Sequence, residues 1–255
     1  MSHRVAILTF CVGADYKRAV EPGLQSKREY ARRHGYTFIE GGEECWDRSR
    51  PIPWSKFPFL LKHLDDYDYL FCSDADVILL NPDIRLEDAV IPLLPAAKDL
   101  LWTLDACGHY NNGHMLLRGK SAWIRDFFTR CYAQTELMYH VWWDNAAMIK
   151  LFQTVPTDEA RIETCREHWK FNSYIFGPTD RADDTTTRLF VPGDFLVHLA
   201  GVYDPWNMYR FMMYIRHCVK HCRPLDVALL NQWRRDSMFV KGGAEESLRS
   251  IGICD

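Results

Sequence analysis

The chain contains no run of about 18 apolar residues, so nothing in it predicts a membrane-spanning helix. It lacks a surplus of positive charge. Its 31 Lys and Arg stand against 34 Asp and Glu, a net charge of −3. Proteins that grip phosphate backbones are normally basic, so no nucleic-acid partner is expected. No C-x-x-C pair occurs among the nine cysteines (Cys11, Cys45, Cys72, Cys107, Cys131, Cys165, Cys218, Cys222 and Cys254), which removes support for a zinc ribbon or a thioredoxin-like site. Their number is odd and several sit in apolar runs, so they read as small core residues of a reducing compartment. The opening Met1-Ser2-His3-Arg4 and the short run Val5 to Phe10 carry too little apolar length for a secretory signal. The expected location is therefore the cytoplasm or the cytoplasmic membrane face, with at most peripheral membrane contact. What is present is an ordinary globular composition, 47% hydrophobic and 25% charged over 255 residues. That excludes a disordered chain, a coiled coil and a collagen-like fibre, and it suits one α/β domain.

The hydrophobic pattern supports that class. Val5 to Phe10 is a continuous β-branched and apolar run of the kind found in buried parallel strands. Leu24 to His34 favours helix, Gly35 supplies its stop, and Tyr36 to Glu40 alternates as a strand, which opens a βαβ unit. Trp54, Phe57, Leu60, Leu61 and Leu64 recur at helical spacing. Tyr67 to Cys72, Leu100 to Leu104 and Met115 to Leu117 read as strands. Ser121 is placed to cap a helix marked by Trp123, Phe127 and Cys131. Asp144 to Phe152 reads as a helix, Phe195 to Leu199 as a strand with Leu196 and His198 on one face, and Trp206 to His221 as a helix. Residues 177–188 are the most loop-like stretch. No repeat, linker or compositional break divides the chain, so a mostly parallel sheet in a single domain is expected.

The sharpest chemical feature is F-C-S-D-A-D-V, residues 71–77. An apolar strand ends, and two carboxylates two positions apart follow at its carboxyl edge, where open α/β sheets bind ligands. On an extended backbone Asp74 and Asp76 face the same side, and two hard oxygen donors suit Mg²⁺ or Mn²⁺. A divalent ion there would neutralise a diphosphate leaving group. The plainer reading of the same residues is a polar turn after a strand. His198, near the end of a strand in G-D-F-L-V-H-L-A-G, reads either as a hydrogen-bonded core residue or as a ligand. Gly201 just beyond it allows close approach of backbone to a phosphate. Asp144 and Asn145 read either as helix-capping residues or as a carboxylate and an amide directed into a sugar site. Asn111-Asn112-Gly113 is foremost a turn signal. In Trp54-Ser55-Lys56 the Trp reads as core, and the Lys as solvated or facing an anion.

Taken in order, W-x-K-x-P before a helix, S-D-A-D after a strand, N-x-G-x-x-L-L-R, a D-N-x-A helix and H-x-x-G after a strand resemble glycosyltransferase family 34, the galactosyl, xylosyl and mannosyl transferases. K-R-E-Y-x-x-x-H-G-Y, residues 27–36, is similar to the family's opening helix-to-strand step. The resemblance runs over roughly residues 4–205. It implies a GT-A fold, a Rossmann-like nucleotide-binding domain with a mostly parallel central sheet. It further implies a UDP-sugar (or GDP-sugar) donor, a Mn²⁺ (or Mg²⁺) cofactor, a carbohydrate or glycoconjugate acceptor, and transfer with retention. Asp74, Asp76 and His198 match the metal site, with Ser73 and Ala75 in the same segment. Asp144 matches the acidic residue near the transferred sugar, and Asn145 stands where the family often has Gln. Asn111 and Gly113 match the segment lining the donor sugar, and Lys56 the W-x-K lysine. Thr9 and Phe10 fall where GT-A enzymes bind the nucleotide. Residues 1–110 are then expected to bind donor, 111–205 to complete the metal and acceptor sites, and 206–255 to form a helical tail.

The chain also departs from that family. Val202-Tyr203-Asp204 follows H-x-x-G where plant members place a Lys, and no N-terminal anchor or stem is recognisable. Two other classes share some of these features. A haloacid-dehalogenase-like phosphatase would use Asp74 as nucleophile and Asp76 as acid/base. Its motif normally ends the first strand, however, and Asp183-Asp184 is a poor second acidic motif. A glycan- or nucleotide-binding module without turnover is the other: the 14% aromatic content would serve sugar stacking as well as core packing, while the intact carboxylates argue against lost turnover.

Overall fold

The computed structural model describes residues 3–176, 188–202 and 204–236. The chain starts with β1 (Val5–Phe10), α1 (Ala14–His34) and β2 (Thr37–Gly41), then α2 (Lys56–His63), β3 (Tyr69–Ser73), β4 (Val77–Leu79) and the short α3 (Leu86–Ala89). It continues through β5 (Leu100–Leu104), β6 (Tyr110–Arg118), α4 (Ala122–Tyr132), α5 (Trp143–Thr154), the short α6 (Pro156–Glu159) and β7 (Ile162–Cys165). β8 (Leu196–His198), α7 (Pro205–Lys220) and α8 (Val227–Asp236) follow.

Six strands form one sheet in the order β2-β1-β3-β6-β5-β7, and β4 pairs with β8 in a separate two-stranded ribbon. β1 is parallel to both β2 and β3, and β5 to β7. β6 runs antiparallel to both of its neighbours, β3 and β5. The class is therefore α/β with a mostly parallel central sheet, as the pattern predicts. Alternation along the strands sorts the core. Ala6, Leu8, Leu70, Cys72, Met115 and Leu117 face the layer containing Trp54, Phe57 and Phe127. Val5, Ile7, Phe71 and Leu116 face Tyr30 and Phe195 on the other side. Each such buried large side chain contributes roughly 1.5–3 kcal/mol of transfer free energy.

Three departures from the sequence expectations have physical causes. The first helix begins ten residues earlier than Leu24, at Ala14. Pro22 and Gly23 are both buried inside α1. A Cβ on Gly23 would sit 2.5 Å from the Val77 carbonyl, so the glycine lets α1 press directly against β4. The Asn111-Asn112-Gly113 turn signal is overridden, because these residues are the first part of the nine-residue strand β6. β4, β7 and α8 carry too few periodic residues to stand out. Elsewhere the local signals hold: Gly35 caps α1 in the left-handed region, and Ser121 Oγ accepts from Ile124 N at 3.1 Å. The aromatic and Met-rich segment from Trp206 packs as core. Met208, Phe211, Met212 and Ile215 of α7 are buried, in one cluster with Leu24 of α1 and Trp233. Among the described residues no helix is long and apolar enough to cross a membrane.

Candidate active site

The carboxyl ends of β1, β3, β5 and β7 and the amino end of β6 share one edge of the sheet. Asp74 and Asp76 lie on that edge, but not on extended backbone. β3 ends at Ser73, the chain turns at Ala75-Asp76, and β4 starts at Val77. The turn, and not strand alternation, brings the two carboxylates together. It is clamped from two sides. Asp74 N donates to Gly113 O at 2.8 Å. Lys27, fully buried in α1, donates from Nζ to Asp74 O and to Val77 O, each at 2.8 Å. Burial lowers the Lys27 pKa to about 8, against the pull of the Asp76 and Asp74 charges.

Asp74, Asp76 and His198 each offer a ligand atom, and these atoms lie within 4.8 Å of one another. His198 reaches the turn because β8 pairs with β4, with Val77 opposite His198. Its Nε2 stands 3.4 Å from Asp76 Oδ1. Its Nδ1 stands 2.8 Å from Asn172 Oδ1, an atom that can only accept, so the proton belongs on Nδ1 and the Nε2 lone pair faces the carboxylates. The same Asn172 oxygen takes His114 Nδ1 at 2.9 Å, and Asn172 Nδ2 donates to the Tyr174 hydroxyl at 2.7 Å. His114 Nε2 is left facing Ser73 Oγ at 3.2 Å. Burial pushes the Asp76 carboxyl up, but a protonated His198 donating from Nε2, together with the Lys27 charge, outweighs it and holds its pKa below the ordinary carboxylate value; a metal would take the place of that Nε2 proton. Two carboxylate oxygens and one oriented imidazole nitrogen form a donor set that fits Mn²⁺ or Mg²⁺.

A second group joins this one through Asp74. Lys56 is not solvated; it is buried at the head of α2 and faces the protein's own anions. Its Nζ stands 2.8 Å from Asp74 Oδ1 and 3.6 Å from Asp144 Oδ2. Burial opposes its charge, yet those two carboxylates push its pKa well above the usual lysine range. Asp144, 4% exposed, is not a capping residue. Its Oδ2 accepts from Asn112 Nδ2 at 2.7 Å. Burial and the Asp74 charge raise its pKa, against Lys56 and Asn112. Asn145 Nδ2 donates to Tyr110 O at 2.8 Å, while its buried Oδ1 has no hydrogen-bond partner among the described residues.

The remaining sequence candidates surround these groups. Thr9 is buried with its hydroxyl committed to Ser73 O at 2.8 Å, and Phe10 packs on Phe59. Ser73 and Ala75 are buried within the turn segment. Asn111 Oδ1 accepts from Gly113 N at 2.9 Å. A Cβ on Gly113 would lie 2.4 Å from His198 Cε1, so only glycine leaves that ring its place. Gly201 adopts φ 80° with open space beside it. Asp183 and Asp184 lie outside the described residues. His114, Asn172 and Tyr174 have no sequence signal of their own, and Lys27 and Asn112, although they fall in quoted segments, carry no sign of these roles; their key partners are remote in the chain. A further cluster, Asp105, Cys107 and His109, also gathers within 4.8 Å after β5. There Asp105 Oδ1 accepts from both Cys107 N and His109 N, which holds the loop turned.

Residues 2–101 match the galactosyl transferase GMA12/MNN10 family. The match carries the W-x-K and S-D-A-D segments and stops short of the later motifs. Two proteins of Schizosaccharomyces pombe align over 74 residues: an alpha-1,2-galactosyltransferase at 30% identity and an uncharacterized alpha-1,2-galactosyltransferase at 27%. Each alignment covers 27% of this chain and 20% of the relative, so the chain spans about a fifth of the length of the curated relatives it matches. Among solved structures, the glycosyltransferase involved in glycosylation of the major capsid of PBCV-1 superposes with a TM-score of 0.63 at 13% identity, covering 82% of this chain and 98% of that one. GlyE of Streptococcus pneumoniae TIGR4 gives 0.54 at 14% identity, covering 92% and 64%. The galactosyltransferase LgtC, solved with donor and acceptor sugar analogs, gives 0.50 at 13%, covering 96% and 99%. The fold is that of the GT-A glycosyltransferases. The family match is confined to residues 2–101, and the structural likeness, at 13–14% identity, is one of fold.

Proposed function

We propose that this chain is a metal-dependent, retaining glycosyltransferase that moves a hexose or pentose from a UDP-sugar or GDP-sugar to a carbohydrate or glycoconjugate acceptor. The observation that carries this reading is the convergence of Asp74, Asp76 and His198 within 4.8 Å at the sheet's carboxyl edge. These three would hold Mn²⁺ or Mg²⁺, which when bound offsets the charge growing on the departing diphosphate. Asn172 fixes the His198 tautomer and ring angle, and Lys27 fixes the turn that bears both carboxylates. Gly201, with open space at its Cα, allows phosphate oxygens to approach the backbone.

Asp144 faces the transferred sugar. Its burial and its partners Lys56 and Asn112 suit electrostatic support of an oxocarbenium-like state better than covalent attack. The unpartnered Asn145 Oδ1 is an acceptor left for a sugar hydroxyl. Residues to about 110 serve the donor side in this reading, and 111–205 complete the metal and acceptor sites.

A thermal-shift screen of nucleotide sugars, run with Mn²⁺ and again with EDTA, tests the proposal. At least one nucleotide sugar should raise the melting temperature with Mn²⁺ only, and Asp76→Ala should abolish the shift while leaving a cooperative melt. Shifts indifferent to metal, or none with any donor, would refute it.

A further inference from the structure

Among the described residues, eight large apolar side chains are exposed, and four of them fall in one stretch of five: Tyr139 at 82%, Val141 at 79%, Trp142 at 47% and Trp143 at 42%. A concentration of this kind marks a binding surface more often than chance exposure does. The stretch ends at Asp144. Trp143 itself has φ 43°, a left-handed backbone that a bulky residue adopts only when its surroundings impose it.

The backbone of the stretch is fastened. Trp54 Nε1 donates to Met138 O at 3.1 Å, and His140 N and Trp143 N donate to Leu137 O and His140 O, each at 2.9 Å. The Trp142 ring lies 5.5 Å from both the His140 and the His109 rings, so it links this segment to the β5–β6 loop on the site's edge of the sheet. The Trp142 ring is therefore held ready, and the backbone bonds fix where the neighbouring rings leave the chain, which lowers the cost of ordering them on a ligand.

We infer that Tyr139, Trp142 and Trp143, with His109 and His140 beside them, form a stacking platform for a pyranose ring of the acceptor. This rests on the reading of Asp144 given above, since an acceptor hydroxyl must come to the sugar that Asp144 faces. The chemistry on the page selects a sugar. A pyranose offers flat C–H faces rimmed by hydroxyls, and these side chains offer flat apolar faces tipped by a phenol, indole N–H groups and imidazoles. A membrane surface would ask for a cationic rim. Here the flanking charges are balanced or acidic: Lys150 is paired to Glu136 at 2.6 Å, and Asp105 lies in the adjoining loop.

Saturation-transfer NMR with methyl glycosides of galactose, mannose, glucose and xylose, and with xylobiose, tests the platform on the whole chain. At least one probe should bind saturably to the wild type. Affinity should fall about tenfold or more in Trp142→Ala and in Tyr139→Ala, and less in Trp142→Phe, which keeps a ring. No saturable binding up to about 100 mM, or wild-type affinity in both alanine variants, overturns the inference. So does binding to phosphatidylcholine–phosphatidylglycerol vesicles that Trp142→Ala abolishes while no glycoside binds. UDP with Mn²⁺ is titrated into the same wild-type sample. Nucleotide binding without glycoside binding sinks the platform alone. Glycoside binding without nucleotide binding sinks the donor-site reading and leaves a sugar-binding surface.

Discussion

Replacing Gly113 by alanine adds a single methyl group at the centre of the site. The Gly113 backbone is outside the left-handed region, so it accepts alanine and only space opposes the change. The new Cβ would stand 2.4 Å from His198 Cε1, 2.8 Å from Asn111 Oδ1 and 3.2 Å from His198 Nδ1. Carbon atoms settle near 3.5 Å, so the imidazole must retreat by roughly 1 Å. That retreat pulls on Asn172, which is fully buried and also holds His114. Overpacking of this sort costs about 1–3 kcal/mol, and each kcal/mol lowers the melting temperature of a domain this size by roughly 2–4 °C. Metal ligands tolerate about 0.2 Å of misplacement, so Mn²⁺ affinity should fall tenfold or more while the protein still melts cooperatively. Manganese titration by electron paramagnetic resonance, with UDP present, reads the affinity. Gly113→Ala protein that binds Mn²⁺ as tightly as wild type and melts at the same temperature refutes the placement of His198.

Lys56→Met strands the Asp74 and Asp144 carboxylates, and should cost about 3–5 kcal/mol in urea denaturation; the double change Lys56→Met with Asp144→Asn should cost less than the sum, and strict additivity counts against the pairing. Lys27→Met leaves the Asp74 and Val77 carbonyls unpaired, at roughly 1–3 kcal/mol each, and unchanged stability would show that the clamp is not needed. Burial holds the His114 pKa well below the ordinary histidine value. Below pH 6.5 the unfolded chain therefore binds a proton that the folded chain refuses. Stability from this group is lost as pH falls, with a limiting slope of about 1.4 kcal/mol per pH unit down to the folded pKa, and His114→Gln should flatten that part of the wild-type curve. Asp144→Asn should lower turnover far more than donor affinity, and a variant with wild-type turnover removes Asp144 from the chemistry.

Much of this architecture is written in short-range pattern. β1, β3 and β5 are continuous apolar runs, and their strand character needs no knowledge of the rest of the fold. The Asp74–Asp76 couplet and His198 are visible because each follows or ends such a run. The groups that organise them are not visible. Lys27 opens the K-R-E-Y segment among charged helix residues, and nothing local marks it as buried, although it caps carbonyls 47 and 50 positions away. Asn172 is one polar residue in an irregular stretch, yet it orients two histidines 58 and 26 positions distant. Asn112 and Gly113 carry a turn signal that pairing with β3 and β5 overrides. Lys56 was legible as a motif residue but not as buried, because its partners come from β3's end and from α5. Local sequence names the candidate ligands, and long-range packing names what holds them.

Crystals grown with Mn²⁺ and UDP, measured at the manganese absorption edge, put the main assertion to the most direct trial. The expected result is one strong anomalous peak bonded to Asp74, Asp76 and the Nε2 of His198, with phosphate oxygens completing its shell. A peak elsewhere, or no peak beside Asp74, Asp76 and His198, would contradict the account.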